Sequence, residues 1–276
     1  MQSGGMMKKR SMIDMTWQEF RDRVNDSAVA VIPLGSIELE GLHLPIGVDT
    51  IVADGIADRI AEEPGVIICP TLPIGYSKWF TPFPGTISLE HETLTRLLLE
   101  YSNSLIQHGV RRLVFLNAHY GNNSSVEVAA HNLIAAHAVH VGMVSIWKLS
   151  NDLIAGTDLI TEGKFTHAGE IMTSVVMALK PQTVLNEKIR KDHVKSPAGT
   201  TFLVKNSTGE TAFKNSIQPI YQDIRELTET GILGDPTAAN KEKGEKLLDL
   251  ITDYLKAYLQ EFRKLPLKMP ENKSSS

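Results

Sequence analysis

Two kinds of apolar run share this chain. Short ones with almost no polar position, at 28–33 (AVAVIP), 65–69, 112–116 (RLVFL) and 141–147, predict buried strands. Between them, longer stretches carry apolar positions at helical spacing. These run from Thr16 to Asn25 with Thr16 as N-cap, Asp49 to about Ala61, Glu90 to His108, Asn122 to Ala138, His167 to Leu179 before Pro181, and Asn240 to Phe262. Strands alternating with helices predict an α/β fold whose mainly parallel sheet is covered on both faces. In such sheets ligands bind beyond the carboxyl ends of the strands. Two polar clusters fall there: Glu38 and Glu40 follow the first strand, and Asn117-Ala118-His119 follows the third. Pro197, Gly199 and Gly209 punctuate the stretch from Lys195 to Asn215, which predicts an irregular excursion toward a neighbouring subunit.

Bulk properties narrow the function class. The 276 residues show no repeat and no low-complexity linker, so a single domain over 1–276 is expected, with frayed ends at about 1–12 and 268–276. The formal net charge of −4, with both signs interspersed, argues against a nucleic-acid surface or a polybasic membrane patch. No apolar run approaches the ~20 residues of a membrane helix, and the first residues lack a signal-like apolar core. The lone Cys69 forbids an internal disulfide and fits a reducing cytoplasm.

The chemistry concentrates in three segments. Glu38 and Glu40 are two apart, which in extended backbone puts both carboxylates on one side. Carboxylates that close repel unless a cation or a shared proton intervenes, and a divalent metal is the simplest resolution. His43 and Asp49 belong to the same stretch; Asp49 is either a ligand or simply a helix cap. His119 ends a buried strand before Gly121, a common place for a metal-ligating histidine. His167 and Glu170 are three apart, so on a helix they share a face and reach one pocket as proton donor and ligand.

Five motifs, GSIELEGLHLPIGVDT, FPGTISL, NAHYGNN, THAGEIMTS and GILGDPTAAN, together resemble the creatininase (creatinine amidohydrolase) family, in family order from about Val29 to Lys246. The resemblance implies a three-layer α/β/α fold with a mainly parallel central sheet. It also implies two divalent metal ions, zinc, manganese or iron, and a homo-oligomer, hexamers included. Carried over by position, Glu38 matches the first metal glutamate, Asp49 the bridging aspartate and His119 the strand-end histidine. His167 matches a histidine near the substrate, and Tyr120 a position facing it. Two departures stand out. Glu40 occupies the place of a usual histidine ligand, and Gly121 the place of a glutamate ligand. Glu170 is expected to supply the missing carboxylate. A site so rich in oxygen is expected to favour Mn²⁺, Fe²⁺ or Mg²⁺ over Zn²⁺ at its second position.

The expected reaction is hydrolysis of a C–N bond in a small-molecule amide, often a cyclic one, through a metal-activated water. Glu38, Glu40, Asp49, His119 and Glu170 are the metal candidates; His167, Glu170 and Tyr120 are the catalytic ones. Relatives of this kind act on creatinine, on formamide-bearing pyrimidine nucleotides and on peptide precursors. The alternatives are a ring-opening hydrolase of a dehydrogenated inositol using the same metals, and a non-catalytic binding member. Trp79 and Phe80 stand where relatives often carry Glu-His, and they either line a stacking pocket or sit in the core.

Overall fold

The computed structural model describes residues 11–192, 194–206 and 209–267. Its centre is a four-stranded parallel sheet of β1 (Val29–Leu34), β2 (Val66–Ile68), β3 (Arg112–Asn117) and β4 (His140–Ser145), in the order β2-β1-β3-β4. Every residue of β1 and β3 is buried. The reason is two-sided cover. Val29, Val31, Val114 and Leu116 point into one core, and Ala30, Ile32, Leu113 and Phe115 into the other. This is why those strands read as continuous apolar runs rather than alternating ones.

The first core is closed by α2 (Val48–Ile60), α5 (Ile146–Ile154), α6 (Glu170–Leu179) and α8 (Lys241–Arg263). The second is closed by α1 (Trp17–Arg23), α3 (His91–Gln107) and α4 (Asn123–Ala136). The three-layer α/β/α arrangement follows directly. Local signals agree with it: Thr16 caps α1 in a complete capping box with Glu19, and Asn240 caps α8 by accepting from Lys243 N.

Three expectations need correction. The predicted strand over 141–147 stops at Ser145, and the chain turns at once into α5, whose Ile146, Trp147, Leu149, Ser150 and Ile154 are buried at helical spacing. The helix expected from His167 begins only at Glu170. The excursion at 195–215 is regular: β5 (Leu203–Val204), β6 (Glu210–Phe213) and β7 (Ser216–Pro219) form a small antiparallel sheet, followed by the short α7 (Ile224–Leu227). Of the ends expected to fray, residues 1–10 and 268–276 lie outside the described residues. Ser11 is paired with Ile68, and Met12 begins a 3-10 turn.

Candidate metal centre

Strand register brings the chemistry together. Leu34 pairs with Asn117 and Asn117 with Ser145, so β1, β3 and β4 end level. The residues just beyond those ends (Ser36 to Glu40, His119 and Trp147) therefore converge.

Glu38 is anchored through its backbone N–H to Ile46 O at 2.8 Å. The chain then reverses at Gly41, whose φ of 70° suits glycine, and where a Cβ would stand 2.8 Å from Ile232 Cγ1. His119 is oriented by amide side chains. Asn117 Oδ1 accepts from His119 N at 3.1 Å, and Asn117 Nδ2 donates to His119 O at 2.8 Å. Asn122 donates to Gly35 O at 3.1 Å and accepts from Tyr76 N at 3.0 Å, which ties the loop after β2 to the ends of β1 and β3.

Asp49 lies in the first turn of α2, but the N-cap there is Gly47 with no side-chain cap bond. Its carboxylate faces the site instead. Oδ2 accepts from Ser36 Oγ at 2.9 Å and lies 2.9 Å from His119 Nδ1; Oδ1 accepts from Trp147 Nε1 at 3.1 Å. His119 Nε2 is 2.8 Å from Tyr76 O and 3.3 Å from Glu38 Oε2.

The electrostatics are those of acids crowded out of water. Glu38 and Glu40 are 2% and 1% exposed, and Glu38 Oε2 and both oxygens of Glu40 have no hydrogen-bond partner. Burial, against the opposing pull of His119, raises Glu38 to about 7. Burial, with Asp49 and Glu38 adding to it, raises Glu40 well above the carboxylate range. Burial would lower His119, but Glu38 and Asp49 overcome it and raise the imidazole to about 9. His167 is lowered to about 4 by burial and is neutral at pH 7. A divalent cation among these groups lets the acids ionise together, so the donor set fits one.

Two sets of possible ligands meet this need among the described residues. Glu38, Asp49 and His119 offer atoms all within 4.8 Å of one another, and so do Glu38, Glu40 and His167. The two sets share Glu38, not Asp49. Above them opens a cavity of about 340 Å³, lined by aromatic faces from Trp79, Phe80, Tyr120, Trp147 and Phe165. Phe80, 3% exposed, stacks on His167 with ring centroids 4.6 Å apart.

The structure does not bring Glu170 to this cluster. Its Oε1 accepts from Lys243 and its Oε2 from Glu162 N at 2.8 Å, and it lines a different cavity with Glu162 and Lys191. Burial alone would raise its carboxyl, but Lys243 and the backbone N–H groups of Glu162 and Thr161 lower it. The expected replacement ligand is thus already engaged as an ion pair. His43 also lies apart: its Nε2 is 2.8 Å from Thr173 Oγ1.

Sequence reasoning passed over Ser36 and Trp147, which both hold Asp49, and Lys205, Asn206 and Glu210, which also line the cavity. The position of Trp147 at the carboxyl end of a parallel strand was a usable signal. Nothing local marks the other four.

Comparisons with known proteins point to one family. The sequence profile of creatinine amidohydrolase, the creatininase family, matches residues 13–259. The chain is 30% identical over 261 residues to creatinine amidohydrolase of Pseudomonas putida, covering 89% of this chain and 94% of that one. It is 31% identical over 233 residues to the mycofactocin precursor peptide peptidase of Mycobacterium tuberculosis strain H37Rv, covering 81% of each. It is 24% identical over 258 residues to the 3-dehydro-scyllo-inosose hydrolase of Thermotoga maritima, covering 90% of this chain and 81% of that one. The solved structure "Creatininase Mn" superposes with a TM-score of 0.76 at 26% identity, over 93% of this chain and 100% of that one. A mutant creatininase of "Zn-Zn type" does so at 0.74 and 25%, over 93% of this chain and 99% of that one.

Proposed function

The chain belongs to the creatininase family, and from that premise we propose that it is a metal-dependent hydrolase cleaving a C–N bond of an amide in the cavity above Glu38, Asp49 and His119. One observation carries the reading: these three residues offer ligand atoms within 4.8 Å of one another on the cavity floor, and the Glu38 oxygen there has no hydrogen-bond partner. Divalent ions at such a site supply Lewis acidity and make a water acidic enough to ionise near neutral pH.

The protein's own groups do the rest. Trp147 and Ser36 fix the Asp49 carboxylate, and Asn117 fixes His119. The aromatic lining takes a flat substrate and excludes bulk water from the reacting carbon. Burial raises the Tyr120 phenol, so it keeps its proton and serves as a hydrogen-bond donor to the departing nitrogen. His167 Nε2 faces Leu39 O at 2.8 Å and Glu40 Oε2 at 3.6 Å, on the carboxylate side of the site.

A screen of metal-loaded protein tests the reading, with cyclic amides, short peptides and inososes as substrates. Turnover of an amide or peptide that disappears in Asp49→Ala and after chelation is the expected result. Turnover of inososes alone assigns the same centre to ring opening. Absence of bound metal in protein purified without chelator favours a binding protein and overturns the proposal.

A further inference from the structure

Two polar side chains on the largely aromatic lining of the cavity have donors without partners. Asn151, on α5, is held by its carbonyl: Oδ1 accepts from Phe165 N at 2.5 Å, which leaves the N–H groups of Nδ2 without a partner among the described residues. Lys205 is the other. Its ammonium group makes no ion pair and no hydrogen bond among the described residues, and it is the only lysine or arginine on the lining.

Lys205 is exposed, and an exposed lysine ordinarily just keeps its charge in water. What sets this one apart is how its backbone is held. Val204, the residue before it, is buried in an apolar cluster with Phe80 and Leu233, which themselves line the cavity. Val204 also pairs with Thr211 across β5 and β6. The turn then closes on itself. Lys205 N donates to Glu210 O at 2.7 Å, Asn206 Nδ2 donates to Glu210 Oε2 at 2.8 Å, and Glu210 N donates to Asn206 Oδ1 at 3.1 Å. The hairpin thus fixes the base of the lysine at the cavity wall, while Asn206 engages the carboxylate of Glu210.

Charge complementarity names the ligand. Donors without acceptors suit an acceptor group, and an unpaired ammonium suits an anion. Glu210 lines the same cavity and sets the limit on charge. A dianion such as a phosphate meets repulsion from it, whereas a carboxylate carries one charge and offers an oxygen to each donor.

We propose that Lys205 and Asn151 form a subsite for a carboxylate group of the substrate, so that the amide cleaved at the metal centre belongs to an organic acid such as an N-acyl amino acid. The proposal rests on the hydrolase reading above and adds which amides that site selects. Neutral amides of the same shape leave both donors unanswered and bind less well.

The test uses full-length protein incubated with Mn²⁺ and three acids, N-benzoylglycine, N-benzoyl-β-alanine and N-benzoyl-4-aminobutyrate, each paired with its methyl ester. The benzoyl ring suits the aromatic lining, and the spacer scans the reach to Lys205. Calorimetry, or kcat/KM for any probe that is turned over, gives the preference for acid over ester. For at least one spacer, wild type should favour the acid roughly 10-fold, about the contribution of one hydrogen bond to a charged group. Lys205→Met should abolish most of that preference, and Lys205→Arg should keep most of it. Asn151→Asp still accepts from Phe165 N but replaces the donor with a like charge, so it should also lower the preference. No preference in wild type at any length, or no binding of either member, would overturn the proposal. So would a preference unchanged in Lys205→Met; if that preference vanishes when Mn²⁺ is removed, the carboxylate sits on the metal instead. A Lys205-dependent preference in protein that takes up no Mn²⁺ would leave the subsite standing and remove the hydrolase reading. Circular dichroism of each variant separates a lost preference from a lost fold.

Discussion

Replacing Trp147 with Phe isolates one hydrogen bond in the metal centre. The indole is 2% exposed, donates from Nε1 to Asp49 Oδ1 at 3.1 Å, and stacks on Phe165 at 5.0 Å. Phenylalanine keeps an aromatic ring against Phe165 but leaves Oδ1 buried without its donor. A hydrogen bond to a charged group contributes about 1.5–3 kcal/mol. At about 1.4 kcal/mol per decade, that predicts Mn²⁺ binding weakened by roughly 10- to 150-fold. The range overlaps the roughly 10- to 100-fold loss usual when a group supporting a metal ligand is removed. The smaller ring also costs packing, which lowers thermal stability without touching affinity. The assay is a competition titration against a fluorescent chelator, paired with a thermal melt of the metal-free protein. A lowered melt with Mn²⁺ affinity unchanged within twofold would refute the reasoning and leave Trp147 a packing residue.

Three further outcomes follow from the same geometry. Asn122→Ala leaves Gly35 O and Tyr76 N without their partners, so a loss of roughly 2–4 kcal/mol is expected; urea titration checks it, and a loss under 1 kcal/mol would count against the network. Cation binding must displace the protons that Glu38 and His119 hold, at about 7 and about 9, so Mn²⁺ affinity should rise with pH through that window and level off above it; a flat profile from titrations at several pH values would contradict this. His43 is lowered by burial to about 4, below its ordinary 6.5, so it stabilises the fold above 6.5, and that contribution fades as pH falls toward 4. His43→Gln, neutral at every pH, should therefore show a shallower acid limb in melting temperature, and an unchanged limb would exonerate His43.

The legible part of the site was the part carried by strand ends. Glu38 and His119 could be chosen because buried strands announce themselves as apolar runs and polar residues just past them have few structural reasons to be there; Asp49, in the first turn of α2, was singled out by the family resemblance. Glu170 was misplaced for an equally physical reason. Its spacing from His167 assumed a helix that starts three residues later than expected, and the cation that neutralises it, Lys243, lies on α8, far off in the sequence. The antiparallel strands after 203 were unreadable because Leu203, Phe213 and Ile217 are more than a third exposed, so no burial pattern marks them.

Taken alone, the order of residues determined the alternation of strands and helices, the three-layer family and the acids past the first strand, because burial on both faces and helical spacing leave direct marks on the polarity of a chain. The tertiary structure decided which groups meet. Register set β1, β3 and β4 level, the turn at Ala168 set His167 against Glu40, and Lys243 took Glu170 away. Partnership between charges depends on distance across elements, and distance is what a one-dimensional pattern does not hold.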